Sequence, residues 1–219
     1  MKALRIFGKF LISVGVGILF FVVWTLWGTG YYTQQQQVEL ERQFEALPTF
    51  EPPEEGEPEG PPPGYSPGPG DPVFRLLVPK IDLNWLVVEG VGTEDLKKGP
   101  GHYPGCGEDF PEPLCLPWEA AWPGEDERVI VSGHRTTYGR LGELGGPFFN
   151  IDKLVEGDEI VARTKWGDFT YEVTEKRIVQ PNSLAITIPS GEAEIVLTTC
   201  NPKYSAAQRL IVFGKLVTT

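Results

Sequence analysis

Hydrophobic and polar positions change their rhythm three times along the chain. Residues 10–27, "FLISVGVGILFFVVWTLW", run for 18 positions without a charge. At about 1.5 Å per residue, that is enough helix to cross most of a hydrocarbon core of roughly 30 Å. Residues 48–72 carry almost nothing apolar. Beyond them short apolar runs recur: "VFRLLVP", "NWLVVEG", "ERVIVSG", "DEIVARTK", "DFTYEVTEKRIVQ", "EIVLTTC" and "RLIVFGKLVT". These runs are rich in β-branched and aromatic residues and are separated by Gly, Pro, Asn and Asp, the pattern of strands. "DFTYEVTEKRIV" alternates as a strand with one wet face does, whereas "RVIV" and "EIVLTT" read as buried on both faces. Only "TEDLKKG" and the stretch around "FFNIDKL" look helical, and both are short. Residues 73–219 are therefore expected to form one mainly β domain, a closed barrel or sandwich of seven or eight strands.

The first apolar run is expected to be a transmembrane signal anchor over 10–30, with residues 1–9 as a cytoplasmic N-terminus. Lys2, Arg5 and Lys9 precede the run, and the first charges after it are Glu39 and Glu41. By the positive-inside rule the N-terminus stays in the cytoplasm and everything downstream lies outside. A cleavable signal peptide shares the basic start, but "WGTGYYTQQQ" offers bulky aromatics and Gln where small residues precede a cleavage site. Trp24, Trp27, Tyr31 and Tyr32 are expected at the outer interface, where amphipathic rings prefer to sit. Residues 31–72 then serve as stalk and linker. Within them, 48–72 hold ten Pro, five Gly and six acids with no base. Such a segment cannot offset its ordering entropy by burial, and it reads as a semi-flexible linker reaching up to about 75 Å when stiff.

Charge removes one class of function. The net −11 divides into +1 for residues 1–47, −6 for the linker and −6 for the domain. An acidic domain without a basic cluster offers no footprint for nucleic acid.

Cysteine usage points to chemistry. Outside the membrane structural cysteines are usually paired, and three is an odd number. Cys106 and Cys115 lie in one loop, "GCGEDFPEPLCLPW". Bridging them closes a ten-residue ring and stabilises by roughly 2–3 kcal/mol on the chain-entropy model; two free loop thiols are the alternative. Cys200 is then left over, at the end of a buried strand. A thiol that titrates near its ordinary value of about 8.5 is mostly protonated at neutral pH and needs help to act as a nucleophile. The chain has two histidines. His102 lies in a Gly/Pro-rich loop, "GPGHYPG", whereas His134 follows a buried strand and a Gly in "RVIVSGHRTTYG", as Cys200 follows its own. Arg209 opens the strand after Cys200. If the two strands pair as antiparallel neighbours, both residues share one rim, where a guanidinium can stabilise an oxyanion. Read alone, such an arginine caps a sheet edge. No metal or other cofactor is expected: there is no Cys-x-x-Cys spacing, and the acids of "EDFPEP" and "PGEDER" read as solvated.

The ordered pattern "VSGHRTTYG", "LTTC", "RLIV" behind a membrane anchor resembles the sortase family, the cysteine transpeptidases of monoderm bacterial surfaces. The resemblance covers essentially all of 73–219, and "LKKGPGHYPG" with "GHRTTYG" is most similar to class E. It implies an eight-stranded β-barrel in which the strand before His134 and the strand ending at Cys200 run parallel and adjacent. It also implies roles: Cys200 as nucleophile on the Thr–Gly bond of an LPxTG- or LAxTG-type sorting signal, His134 as acid and Arg209 at the oxyanion. The acyl group then passes to an amine of a lipid-linked peptidoglycan precursor, or to a pilin lysine. Surface proteins bearing the signal are the implied partners, with Tyr103, His102 and Thr199 as candidate substrate-binding residues. The segment 106–127 departs from the family pattern by its length. Two rivals remain open at this point. One is another cell-wall cysteine acyl-transferase or peptidase, although papain-like enzymes place Cys before His. The other is a tethered binding module in which Cys200 is inert.

Overall fold

The structure, a computed structural model, describes residues 2–23, 29–50, 60–136, 145–183 and 186–218. Its strands are β1 (Pro72–Val78), β2 (Leu83–Glu89), β3 (Gly101–His102), β4 (Arg128–Ser132), β5 (Glu159–Arg163), β6 (Asp168–Val179), β7 (Glu194–Asn201) and β8 (Gln208–Thr218). They close a barrel in the order β1-β2-β3-β4-β7-β8-β6-β5, with β5 pairing antiparallel onto β1. The expected eight-stranded, mainly β architecture is thus the one observed. Seven strands follow the apolar runs. The eighth, β3, is only two residues long and hides in the Gly/Pro-rich "GPGHYPG", where no run of alternating residues announces it.

Pairing of β4 with β7 is parallel, from Arg128 with Glu194 to Ser132 with Thr198. Because side chains alternate across a strand, Val129, Val131, Ile195 and Leu197 point inward to the barrel core around Phe74, Phe148 and Tyr171. Ile130 and Val196 point outward, yet they too are buried, under Leu116 and Ala120 of the 106–127 segment and beside Ile211 and Phe213. That cover explains why these strands read as apolar on both faces. Cys106 and Cys115 are joined in a disulfide, with Cα atoms 4.9 Å apart. Backbone bonds from Cys106 N to Leu116 O and from Leu116 N to Pro104 O close the neck of the same loop.

The N-terminal part includes α1 (Lys2–Val23) and α2 (Thr29–Ala46). Within α1, Arg5–Val23 is long and apolar enough to cross a membrane, and none of it is buried against the protein. The helix starts before position 10, ahead of the expected span. Residues 24–28 lie outside the described residues, and so do the side chains of Tyr31 and Tyr32; the expected aromatic belt falls there. α2 does not stand free as a stalk. Leu40 and Phe44 bury themselves against outward-facing Leu86 and Val88 of β2, each such side chain contributing roughly 1.5–3 kcal/mol. Gln37 reinforces the contact through Leu86 N and O, at 3.0 and 3.2 Å, and Glu41 pairs with Arg75.

The linker expected over 48–72 also departs from a free tether. Residues 51–59 lie outside the described residues, but 60–71 run along the barrel. Tyr65 sits edge-on to Trp122 and Trp166, at 5.2 and 5.3 Å between ring centroids. Gly70 N and Asp71 O both bond to the backbone of Glu89. Average composition hid this attachment, because one aromatic ring and a few backbone bonds suffice to anchor a proline-rich strap.

His102, expected in a Gly/Pro-rich loop and as a candidate for substrate binding, is placed otherwise by the structure. It stands in β3 with its ring fully buried, Nδ1 at 2.8 Å from Glu89 Oε2 and Nε2 at 2.9 Å from the Ala121 carbonyl. Two ring nitrogens facing two acceptors fit the doubly protonated imidazolium. Burial pulls its pKa down, but the Glu89 carboxylate, the Ala121 carbonyl and more distant Glu125 outweigh this and leave it raised above 6.5. The sign follows from linkage: the ion pair contributes fully below the unfolded value and is lost as pH rises through the raised folded value. The melting temperature is therefore expected to fall from pH 6.5 upward more steeply in the native protein than in Glu89→Gln. Equal slopes in a calorimetric pH series would refute the pairing.

Candidate active site

The site is built where β4, β7 and β8 end together. β7 and β8 are antiparallel, with Cys200 directly opposite Arg209. On the other side of β7, Ser132 pairs with Thr198, Gly133 N donates to Thr198 O at 3.1 Å, and the Thr199 hydroxyl donates to Gly133 O at 2.6 Å. Extending the same register two residues past the last pair puts His134 level with Cys200, on neighbouring chains about 4.8 Å apart. Alternation then settles the face. Val196 and Cys200 point outward on β7, Ile130 and His134 on the β4 side, and Arg209 with Ile211 on β8. All three predicted groups therefore leave the outer face at one level, above the apolar floor of Ile130, Val196 and Ile211.

Each is partly exposed. Cys200 is the free cysteine. The Arg209 guanidinium is held by the carbonyls of Ala206 and Gln208, both at 3.1 Å from Nη1. Partial burial keeps the His134 imidazole below its ordinary 6.5. The carbonyls of His134 and Arg135 accept from Phe148 N at 3.1 Å and Gly146 N at 3.0 Å. Gly146 is needed there by proximity alone, since a Cβ would stand 2.1 Å from the His134 carbonyl oxygen.

Tyr103 extends the same face, packed on the outer cluster with Trp118. Burial raises its hydroxyl pKa, and the charge of Arg209 partly offsets this. Thr199 and His102 belong to the inner side. Thr199 spends its hydroxyl on Gly133, and His102 is closed off as described above. The 106–127 segment covers part of the outer face, packing Leu116 and Ala120 on Ile130 and Val196. No cluster of three or more His, Cys, Asp or Glu suited to a metal occurs among the described residues.

A thiol, an imidazole and a guanidinium on one face suit acyl transfer: nucleophile, proton donor and oxyanion partner, in that order. The sortase domain family matches residues 76–217. The chain belongs to the sortase family. Sortases are cysteine transpeptidases, and the closed eight-stranded barrel is the family's fold. Sortase D of Bacillus subtilis is 33% identical over 159 residues, covering 70% of this chain and 68% of that one. Sortase SrtE1 of Streptomyces coelicolor is 29% identical over 227 residues, 98% of this chain, and this sortase spans 57% of that relative's length. A crystal structure of sortase E1 from the same organism, with a tripeptide in its active site, superposes with a TM-score of 0.56 at 28% identity. It covers 70% of this chain and 92% of its own. SrtE1 and the sortase E1 structure, rather than sortase D, support a class E-like sortase.

One residue escaped sequence reasoning. Arg135 follows His134 directly and is only 4% exposed. Inward alternation at the end of a buried strand was the signal that would have singled it out.

Proposed function

We propose that this sortase is a membrane-anchored transpeptidase that cuts a C-terminal sorting signal between Thr and Gly and passes the acyl group to a cell-wall amine. The observation that carries the proposal is the common level and face of His134, Cys200 and Arg209. Cys200 passes its proton to His134, the thiolate so formed attacks the Thr carbonyl, and the resulting oxyanion is stabilised by Arg209. As the C–N bond breaks, imidazolium His134 gives its proton to the departing glycine amine. An incoming amine attacks the thioester, loses a proton to His134 and restores the thiolate, giving one amide for one amide. Water is the slow competitor.

Similarity to class E favours an LAxTG signal over LPxTG, with Tyr103 beside Arg209 as the contact for the signal. Thr199, with its hydroxyl engaged across the strands, serves as a latch between β4 and β7, and His102 as a support from within the barrel. The Arg5–Val23 helix is the single membrane span, with the N-terminus in the cytoplasm and the barrel outside. The amine comes from a lipid-linked peptidoglycan precursor or a pilin lysine, and the signal from surface proteins that end in it.

The test is product analysis. Incubated with an LAxTG peptide and triglycine, the enzyme is expected to yield the Thr–Gly-linked product by mass spectrometry. It should form faster than the free acid, and faster than from the LPxTG peptide. Hydrolysis alone in the presence of amine would point to a peptidase, and no cleavage of either peptide would overturn the proposal.

A further inference from the structure

Each residue assigned to chemistry is followed or preceded by one that turns to the other side of its strand, and those neighbours meet. Arg135 adjoins His134, Asn201 adjoins Cys200, and Gln208 adjoins Arg209. Arg135 Nη1 donates to the Asn201 side-chain oxygen and, at 3.4 Å, to the carbonyl of Cys200 itself. Asn201 Nδ2 donates in turn to Gln208 Oε1 at 3.1 Å. The far side of the guanidinium, Nη2, pairs with Asp152 Oδ1 at 3.2 Å, and Lys203 reaches the same oxygen at 3.5 Å. Asp152 lies in the 3-10 turn Ile151–Lys153, whose Ile151 is packed in the barrel core.

We infer that Arg135 is a positioning residue which, through Asn201, Gln208 and Asp152, clamps the ends of β4, β7 and β8 so that His134, Cys200 and Arg209 stay at one level. The inference rests on the catalytic reading of those three and adds a residue to it. Past Ser132 and Thr198 the β4–β7 ladder has ended. Cys200 is still held to β8 through its pairing with Arg209, but His134 stands past the last β4–β7 pair, and side-chain bonds supply the tie between those two strand ends. The geometry of a planar, five-donor fork allows one group to hold two strand ends and a third element at once. Its buried Nε has no hydrogen-bond partner among the described residues, so the fork end of the guanidinium makes the contacts that fix its place.

The experiment uses the full-length enzyme in detergent and the LAxTG-plus-triglycine assay, with Cys200→Ala and Arg163→Gln as controls. Arg163 pairs with Asp168 on the exposed β5–β6 edge, far from the site, and its variant should keep native turnover. Arg135→Gln and Asn201→Ala are each expected to lower kcat by roughly ten- to a hundredfold, the cost of slight misplacement of reacting groups. KM should stay within about twofold, because the outer face that binds peptide is untouched. The double variant should be no worse than the poorer single one, since both break one network. Arg135→Lys, with a charge but no fork, should recover only part of the loss.

Native kcat in a folded Arg135→Gln enzyme overturns the clamp, as do losses that multiply in the double variant or merely track the unfolded fraction seen by circular dichroism. Should Arg135→Gln fail to fold, native kcat in both Asn201→Ala and Gln208→Ala overturns it equally. An inactive native enzyme, by contrast, would count against the proposed reaction itself.

Discussion

Cys200→Ala is expected to produce no transfer product and no acyl-enzyme, with the barrel intact. The change removes one sulfur from a partly exposed side chain on the outer face, so no large cavity opens in the core. Secondary structure and melting temperature should stay near those of the native protein. Chemistry has no substitute, because no other free cysteine stands on the face: Cys106 and Cys115 are bonded to each other. Loss of a nucleophile that acts as a unit with its base typically costs about six orders of magnitude in kcat. Intact-mass spectrometry with an LAxTG peptide checks both halves. A native enzyme should gain the acyl mass and the variant none. Native turnover in Cys200→Ala would remove the nucleophile from the scheme and return the protein to the class of tethered binding modules.

The second large effect separates the two histidines. His134→Ala and Arg209→Ala are expected to lower kcat by orders of magnitude with the fold retained. Positioned acid–base catalysis is generally worth about 10²- to 10⁴-fold, and an oxyanion partner about 10²- to 10³-fold. His102→Ala should act mainly on stability. It strips the partner from buried Glu89, and breaking a buried pair on one side costs about 3–5 kcal/mol, whereas turnover per folded molecule should fall less. Measuring kcat/KM alongside chemical denaturation separates the outcomes. An equally inactive but fully stable His102→Ala enzyme would mean that the acid role belongs to, or is shared with, the inner histidine.

That contrast shows where linear reading succeeds. The placement of His134, Cys200 and Arg209 at strand ends was legible because each sits at the outlet or entrance of an apolar run, and an alternating pattern tells which strand ends carry a polar group; their roles in chemistry are the proposal made above. The barrel was legible for the same reason, since seven of its strands bury enough to print their period on the chain. β3 was not: two residues hold their place through pairing with β2 and β4, and pairing partners leave no local trace. His102 was misplaced in consequence.

The Pro/Glu/Gly-rich stretch teaches a similar limit. Its composition does exclude a core, yet Tyr65 beside Trp122 and Trp166 and the backbone bonds of Gly70 and Asp71 to Glu89 attach it, and α2 docks although its own amphipathicity is faint. A docked helix needs only two or three apolar side chains that find a complementary face, here Leu40 and Phe44 against Leu86 and Val88.

Order and residue type along the chain were enough to name the candidate reactive groups and the family, because both depend on local spacing around strand ends. Which groups share a face, which side chains bond behind them and which histidine is sealed inside were decided by strand register. Register joins positions 66 residues apart, as Ser132 with Thr198 and Arg135 with Asn201. Those pairings arise from the closure of the sheet, a long-range condition that no stretch of sequence encodes alone.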